Sequence, residues 1–297
     1  MNFIGDDVVN IGDIVVRKSY GRDVLFKIID RENTREGVLF TIKGVNLRVV
    51  ADSLADDLEL ISDERVTTKE KVLNSRIKSS IKTILASRVD ESKSYRVIKQ
   101  SSPKQIRELT FGRPGRVLHI DGDSEYLNNC LKVYKQLSVE AVGRTISEEN
   151  QPSEVVNLVK EVKPDIVIIT GHDAIIKNTK NFLDLDNYKN SRYFVESVLK
   201  IRDYEPDYDN LVIYAGACQS CYEAILDAGA NFASSPNRVL IHCLDPVFLC
   251  EKVAYTNFQK IVSVQDAIEN TITGVKGIGG MQTRGKYREG FPKSSYI

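Results

Sequence analysis

After Pro114 the chain alternates short apolar runs with amphipathic stretches, and this alternation limits the possible folds more than any other feature. The apolar runs fall at 116–120, 139–143, 165–170, 210–215 and 238–242. The amphipathic segments fall at 126–137, 152–162, 190–202, 220–228 and 246–255. Repeated β-α-β units of this kind predict a parallel sheet covered by helices on both faces. A last helix is expected around 265–273, followed by the Gly-rich tail GVKGIGGMQTRGKYREGF, which has no periodicity. The tail is expected either to fold over the sheet edge as a mobile loop beside a cleft, or to be a plain disordered terminus.

The N-terminal part reads differently. Between residues 8 and 61, about five short apolar runs recur at roughly ten-residue spacing, separated by turn residues such as Gly12, Gly21, Asn33, Gly37 and Gly44. This spacing suggests a small antiparallel barrel, and IGDIVVRKSYGRDVLFKI resembles a Tudor-like module. Residues 62–116 then carry fourteen Lys or Arg against six Asp or Glu. Apolar residues at helical spacing predict a helix over 66–88, and 89–115 reads as a polar, exposed linker. The expected fold class is therefore α/β in three parts. These are a small Tudor-like antiparallel β-barrel at 1–61, a basic helix and linker at 62–115, and a parallel-sheet α/β domain at 116–297.

Charge and composition narrow the function. Across 297 residues, 41 Lys and Arg balance 41 Asp and Glu, so nothing in the net charge argues for nucleic acid or an acidic membrane surface as partner. The longest apolar runs fall far below the roughly 20 residues that span a bilayer, and the opening MNFIGDDVVNIGD has acids where a signal peptide would be basic. A soluble, non-exported cytoplasmic protein is expected. Five cysteines are too few and too odd in number for a disulfide scaffold. Only three histidines, His119, His172 and His242, are available as a general base near neutral pH.

In an open parallel sheet, catalysis collects at the carboxyl ends of the strands. Two runs end in chemically distinctive residues: DIVIITGHD delivers His172, and NLVIYAGACQS delivers Cys218, 46 positions later. One crossover helix separates them, so neighbouring strands bring imidazole and thiol to one edge. Gly171, Gly216 and Ala217 leave room for a substrate backbone. A helix expected from Ser220 would set the Cys218 sulfur and N–H near a helix N-terminus, which favours the thiolate.

An apolar strand ending in His, followed by one ending in Ala-Cys-Gln, resembles the caspase-type cysteine peptidases. TGHDAIIKN, YAGACQSCYEAI and the N-terminal β module together resemble the YabG family of sporulation-specific cysteine proteases of endospore-forming bacteria. The resemblance covers essentially the whole chain. It implies a caspase-like catalytic domain and a cysteine endopeptidase of the mother-cell cytoplasm. Its implied partners are protein substrates, spore coat and cortex-associated proteins, cleaved after arginine, with no nucleic acid, membrane or cofactor required. It also implies a Cys218–His172 dyad, with the Cys218 and Asp173 N–H groups forming the oxyanion hole. Two departures stand out. Caspase-type enzymes carry Gly after the His, where this chain has Asp173, and many arginine-specific relatives carry Asp two positions before the Cys, where it has Gly216.

An acidic group for arginine must then come from elsewhere, and HIDGDSEY offers Asp121 and Asp123 just past the first parallel strand. Either they floor a pocket that pairs with a guanidinium, or they form a turn with Gly122 that caps the following helix. Two other classes remain open. Cys218 and Cys221 form C-x-x-C, the spacing of thiol redox sites. The β-α alternation also fits a non-catalytic receiver-like or scaffold module. No metal is expected, because His242, Cys243 and Cys250 lack a fourth ligand at suitable spacing. Self-cleavage at linker arginines, Arg88, Arg96, Arg107, Arg113 and Arg116, is a further expectation.

Overall fold

The computed structural model describes residues 9–35, 37–94, 111–176, 179–292, 294 and 296. Two compact units divide the chain, Met1–Ile77 and Lys78–Ile297. The boundary falls inside α1 (Asp63–Ser94).

The first unit is an antiparallel sheet of β1 (Ile14–Arg17), β2 (Phe26–Thr34), β3 (Gly37–Gly44), β4 (Val50–Leu54) and β5 (Leu58–Leu60), in the order β4-β3-β2-β1-β5. Period-two alternation turns Phe26 and Ile28 of β2 and Phe40 and Ile42 of β3 inward, where they meet Val15 and Leu58. The expected barrel is not closed. A 3-10 turn at Ala55–Asp57 carries the chain to the far side, where three-residue β5 pairs with β1, and no ladder joins β4 to β5.

In the second unit the main sheet has the order β13-β11-β10-β9-β7-β8. Its parallel strands are β7 (Val117–Asp121), β8 (Ala141–Thr145), β9 (Ile166–Thr170), β10 (Val212–Ala215) and β11 (Phe232–Ser234). Antiparallel β13 (Ile278–Gly280) closes the edge, so the sheet is mixed rather than all-parallel. Every residue of β7, β9 and β10 is buried, because helices cover both faces, and all but His119, Asp121 and Thr170 are apolar or aromatic. The helices are α2 (Ser124–Gln136), α3 (Gln151–Val162), α4 (Ser191–Tyr204), α5 (Tyr222–Asp227), α6 (Asp245–Tyr255) and α7 (Val264–Ile268). One face of the sheet packs Ile120, Ile169, Ile213 and Ala215 against Val155 and Val159 of α3, Phe194 and Val198 of α4, and Ile225 of α5.

Several sequence expectations need correction. The run 238–242 is not a strand. Strand β11 forms earlier, at Phe232–Ser234, and the later run is a loop, partly buried at 238–240 and buried at Ile241 and His242. The segment 89–115 is not a continuous linker. Helix α1 runs on to Ser94, and Phe111–Arg113 forms β6, paired with β15 (Arg288–Gly290). Residues 95–110, with Arg96 and Arg107, lie outside the described residues. Arg88 is not an exposed cleavage site: its guanidinium lies 3.3 Å over the Tyr255 ring and pairs with Glu251 at 2.6 Å. The Gly-rich tail is ordered structure too. It supplies β13, β14 (Thr283–Arg284), which pairs with β12 (Ile261–Val262), and β15. Gly280 belongs there by close approach, since a Cβ would meet the Asn231 carbonyl oxygen at 2.2 Å.

Candidate active site

The ladder Ile120↔Ile169 and Ile169↔Ala215 sets the carboxyl ends of β7, β9 and β10 level, so the loops after all three emerge at one rim. His172 follows β9 and Cys218 follows β10, its hydrogen-bonded neighbour.

His172 is gripped by its main chain and flanked at its ring. Its N–H donates to Glu148 Oε1 at 2.6 Å, and its carbonyl accepts from Asn190 Nδ2 at 2.8 Å. Nδ1 lies 3.6 Å from Glu148 Oε1 and Nε2 lies 3.6 Å from Asp123 Oδ2. Tyr126 of α2 packs obliquely on the imidazole, with ring centroids 5.7 Å apart. Burial pushes the Glu148 carboxyl up, but the hydrogen bonds and charge of His172 outweigh it and hold it below the usual range.

Glu148 was not singled out from sequence. It sits in a 3-10 turn between β8 and α3, in a run of acids that reads as solvated surface. Its seat is marked by two glycines: a Cβ at Gly122 or Gly171 would lie 2.3 or 2.2 Å from its Oε1. Neither glycine has the positive φ that would otherwise explain it, so close approach is the reason for both.

The Asp173 side chain is buried. Oδ1 accepts from the Ala174 and Asn190 N–H groups, at 2.9 and 2.8 Å, and Oδ2 accepts from Ser191 Oγ at 2.5 Å. Burial raises this carboxyl above its ordinary value, against those hydrogen bonds. Among the described residues, the Asp173 N–H has no hydrogen-bond acceptor. Ser191 Oγ in turn accepts from the Cys221 N–H at 2.8 Å, which ties the loop after β9 to the loop after β10.

The loop after β10 is a tight turn. Gly216 has φ +110°, a conformation that favours glycine, and Ser220 Oγ accepts from the Ala217 N–H at 2.9 Å. Because Ser220 closes this turn, α5 starts at Tyr222 rather than Ser220. The Cys218 thiol is fully buried, and its Sγ accepts from the Ile241 N–H at 3.0 Å. The Cys221 sulfur takes a different partner, the Phe182 carbonyl at 3.7 Å, and no disulfide joins any of the five cysteines, all of which are described residues. The thiol's contact with Ile241 is on the β11 side of the rim, and the imidazole's contacts are on the β7–β8 side. Among the described residues, the hydrogen bonds found at His172 and at Cys218 do not join the two.

Asp121 and Asp123 differ. The Asp121 side chain is 0% exposed. It accepts from Thr170 Oγ1 and from the Asp123 N–H, both at 2.9 Å. Thr170 Oγ1 lies 3.0 Å from His119 Nε2, and His119 Nδ1 lies 3.2 Å from the Tyr134 hydroxyl, so His119 belongs to a buried polar chain between sheet and α2. Asp123 caps α2 with Oδ1, accepting from the Glu125 and Tyr126 N–H groups. Its side chain is 11% exposed at the rim.

Among the described residues, no three His, Cys, Asp or Glu side chains gather as a metal-ligand set, and no helix is long and apolar enough to cross a membrane.

Two comparisons of the sequence with known proteins identify its family. A family model described as YabG peptidase U57 matches residues 10–292. The chain is also similar to the sporulation-specific protease YabG of Bacillus subtilis (strain 168). Identity is 41% over 292 residues, covering 96% of this chain and 98% of the relative. The chain belongs to the YabG peptidase family, U57.

Proposed function

We propose that the protein is a cysteine endopeptidase in which Cys218 is the nucleophile and His172 its acid–base partner. The observation that carries this reading is the pairing of β9 with β10, which brings an imidazole and a thiol to adjacent strand ends at one rim, in loops tied through Ser191. Catalytic hydrogen bonds are often long before substrate binds and tighten in the Michaelis complex. Substrate entry displaces the loop whose Ile241 is bonded to the sulfur, and the thiol proton passes to His172.

The chemistry then runs in two steps. The thiolate attacks the scissile carbonyl, and the Cys218 and Asp173 N–H groups receive the developing oxyanion. His172 protonates the leaving amine. Water, deprotonated by the same imidazole, hydrolyses the thioester and regenerates the thiol. The Asp173 carboxylate is buried and held by the Asn190 N–H and Ser191 Oγ, and among the described residues its own N–H has no acceptor, which suits this role.

Cleavage after arginine is part of the proposal. Asp123 is better suited than Asp121 to pair with a guanidinium, because the Asp121 side chain is fully buried and already accepts two hydrogen bonds. The substrates proposed are spore coat and cortex-associated proteins in the mother-cell cytoplasm of a sporulating bacterium, in keeping with the sporulation role named for the relative.

Fluorogenic peptides ending in Arg, Lys or Asp test the reading. The wild type is expected to cleave the Arg peptide best, and Cys218→Ala and His172→Ala to lose at least about a thousandfold in kcat/KM. Undiminished cleavage by Cys218→Ala would overturn it.

A further inference from the structure

The geometry points to Glu148 as the positioning residue of His172, a third member of the constellation that holds the imidazole by its main chain and faces its Nδ1. This inference rests on the Cys218–His172 reading.

One oxygen does both tasks. Glu148 Oε1 accepts from the His172 N–H at 2.6 Å and lies 3.6 Å from Nδ1 of the same residue. With Nδ1 turned to Glu148, Nε2 is the nitrogen assigned to exchange a proton with sulfur and leaving amine, although it lies 3.6 Å from Asp123 Oδ2. A carboxylate beside Nδ1 also stabilises the imidazolium formed when the thiol gives up its proton. The charges around the ring come from two loops: Glu148 after β8 and Asp123 after β7. Asp123 spends one oxygen capping α2, so its position answers to that helix. Glu148 answers to His172.

The seat is built for this carboxylate. Gly122 after β7 and Gly171 after β9 lie so close to it that a methyl group at either would meet Glu148 atoms first, at 2.3 and 2.2 Å. At both positions the three nearest atoms all belong to Glu148. The space these glycines leave is occupied by the glutamate, and the glutamate in turn fixes the residue that follows Gly171.

Glu148→Gln tests the role, because it keeps the side chain's length and an acceptor for the His172 N–H while removing the charge. Its kcat is expected to fall roughly ten- to a hundredfold, with KM within about threefold of wild type. Gly171→Ala, which pushes the carboxylate off its seat, is expected to lower kcat likewise, and combining it with Glu148→Gln to add little further loss. Wild-type kcat in Glu148→Gln would overturn the inference, as would a raised KM with kcat retained, which makes Glu148 a substrate contact. Losses that multiply in the double variant would overturn it as well. If Glu148→Gln does not fold, Gly171→Ala alone decides by its kcat. Cys218→Ala, assayed beside these, separates the two claims. Activity in that variant removes the dyad itself, whereas an inactive Cys218→Ala with a fully active Glu148→Gln removes only the role of Glu148.

Discussion

The Cys218 sulfur is held under Ile241, whose N–H donates to it at 3.0 Å, and no part of Cys218 reaches solvent. Reagent therefore reaches the thiol only through a local opening. Alkylation by iodoacetamide is expected to plateau with reagent concentration, at the opening rate, instead of rising linearly. Peptide mapping at pH 7 should find Cys218 marked ahead of Cys221 and Cys250. Burial raises the Cys221 thiol, and it pushes that of Cys250 up to about 12, while the thiolate is the reacting form. Equal labelling of all three would count against this.

Arg202 pins α4 to the segments that lead into β10 and β11 from a nearly buried position. Its guanidinium donates to the Gly229 carbonyl at 2.8 Å, the Leu211 carbonyl at 2.9 Å and Asn231 Oδ1 at 2.7 Å. Arg202→Met keeps much of the stem and strands those acceptors. A loss of about 3 kcal/mol in urea unfolding is expected; a loss below about 1 kcal/mol would show that the network contributes little.

Asp245, at the start of α6, accepts from the Ile272 N–H at 2.6 Å and from the Thr273 N–H. Burial nonetheless pushes its carboxyl up to about 6, from 3.8. Between those values the folded protein keeps a proton that the unfolded chain has released. The contribution of this group to stability is thus complete below about pH 4 and lost as pH rises through 6. Relative to Asp245→Asn, the wild type should lose up to about 3 kcal/mol between pH 4 and 7. Urea titrations of both proteins measure it, and a pH-independent difference would contradict it.

The strands that carry His172 and Cys218 were legible because burial on both faces demands unbroken apolar residues, as in IVIIT and VIYA. Strand β11 was not. Its three residues include Ala233 and Ser234, and a stronger apolar signal came from VLIHC, a loop whose Ile241 N–H donates to Cys218. The tail strands, two and three residues long and rich in glycine, are too short to show a period. Barrel closure was illegible because it depends on which edge β5 reaches, and Leu58–Leu60 reads the same for either. In the site, the Gly before His172 reads as room for substrate, yet it is Glu148 that fills that room. A contact between residues 148 and 171 leaves no local pattern beyond the unexplained glycine.

The most direct test of the central claim is covalent trapping. An arginyl chloromethyl ketone contains an electrophile that a thiolate attacks once the arginine is bound. Intact mass and peptide mapping are predicted to find one adduct, on Cys218, absent in Cys218→Ala and at least about a hundredfold slower to form in His172→Ala. An adduct on another residue, or one formed as fast without His172, would contradict the account.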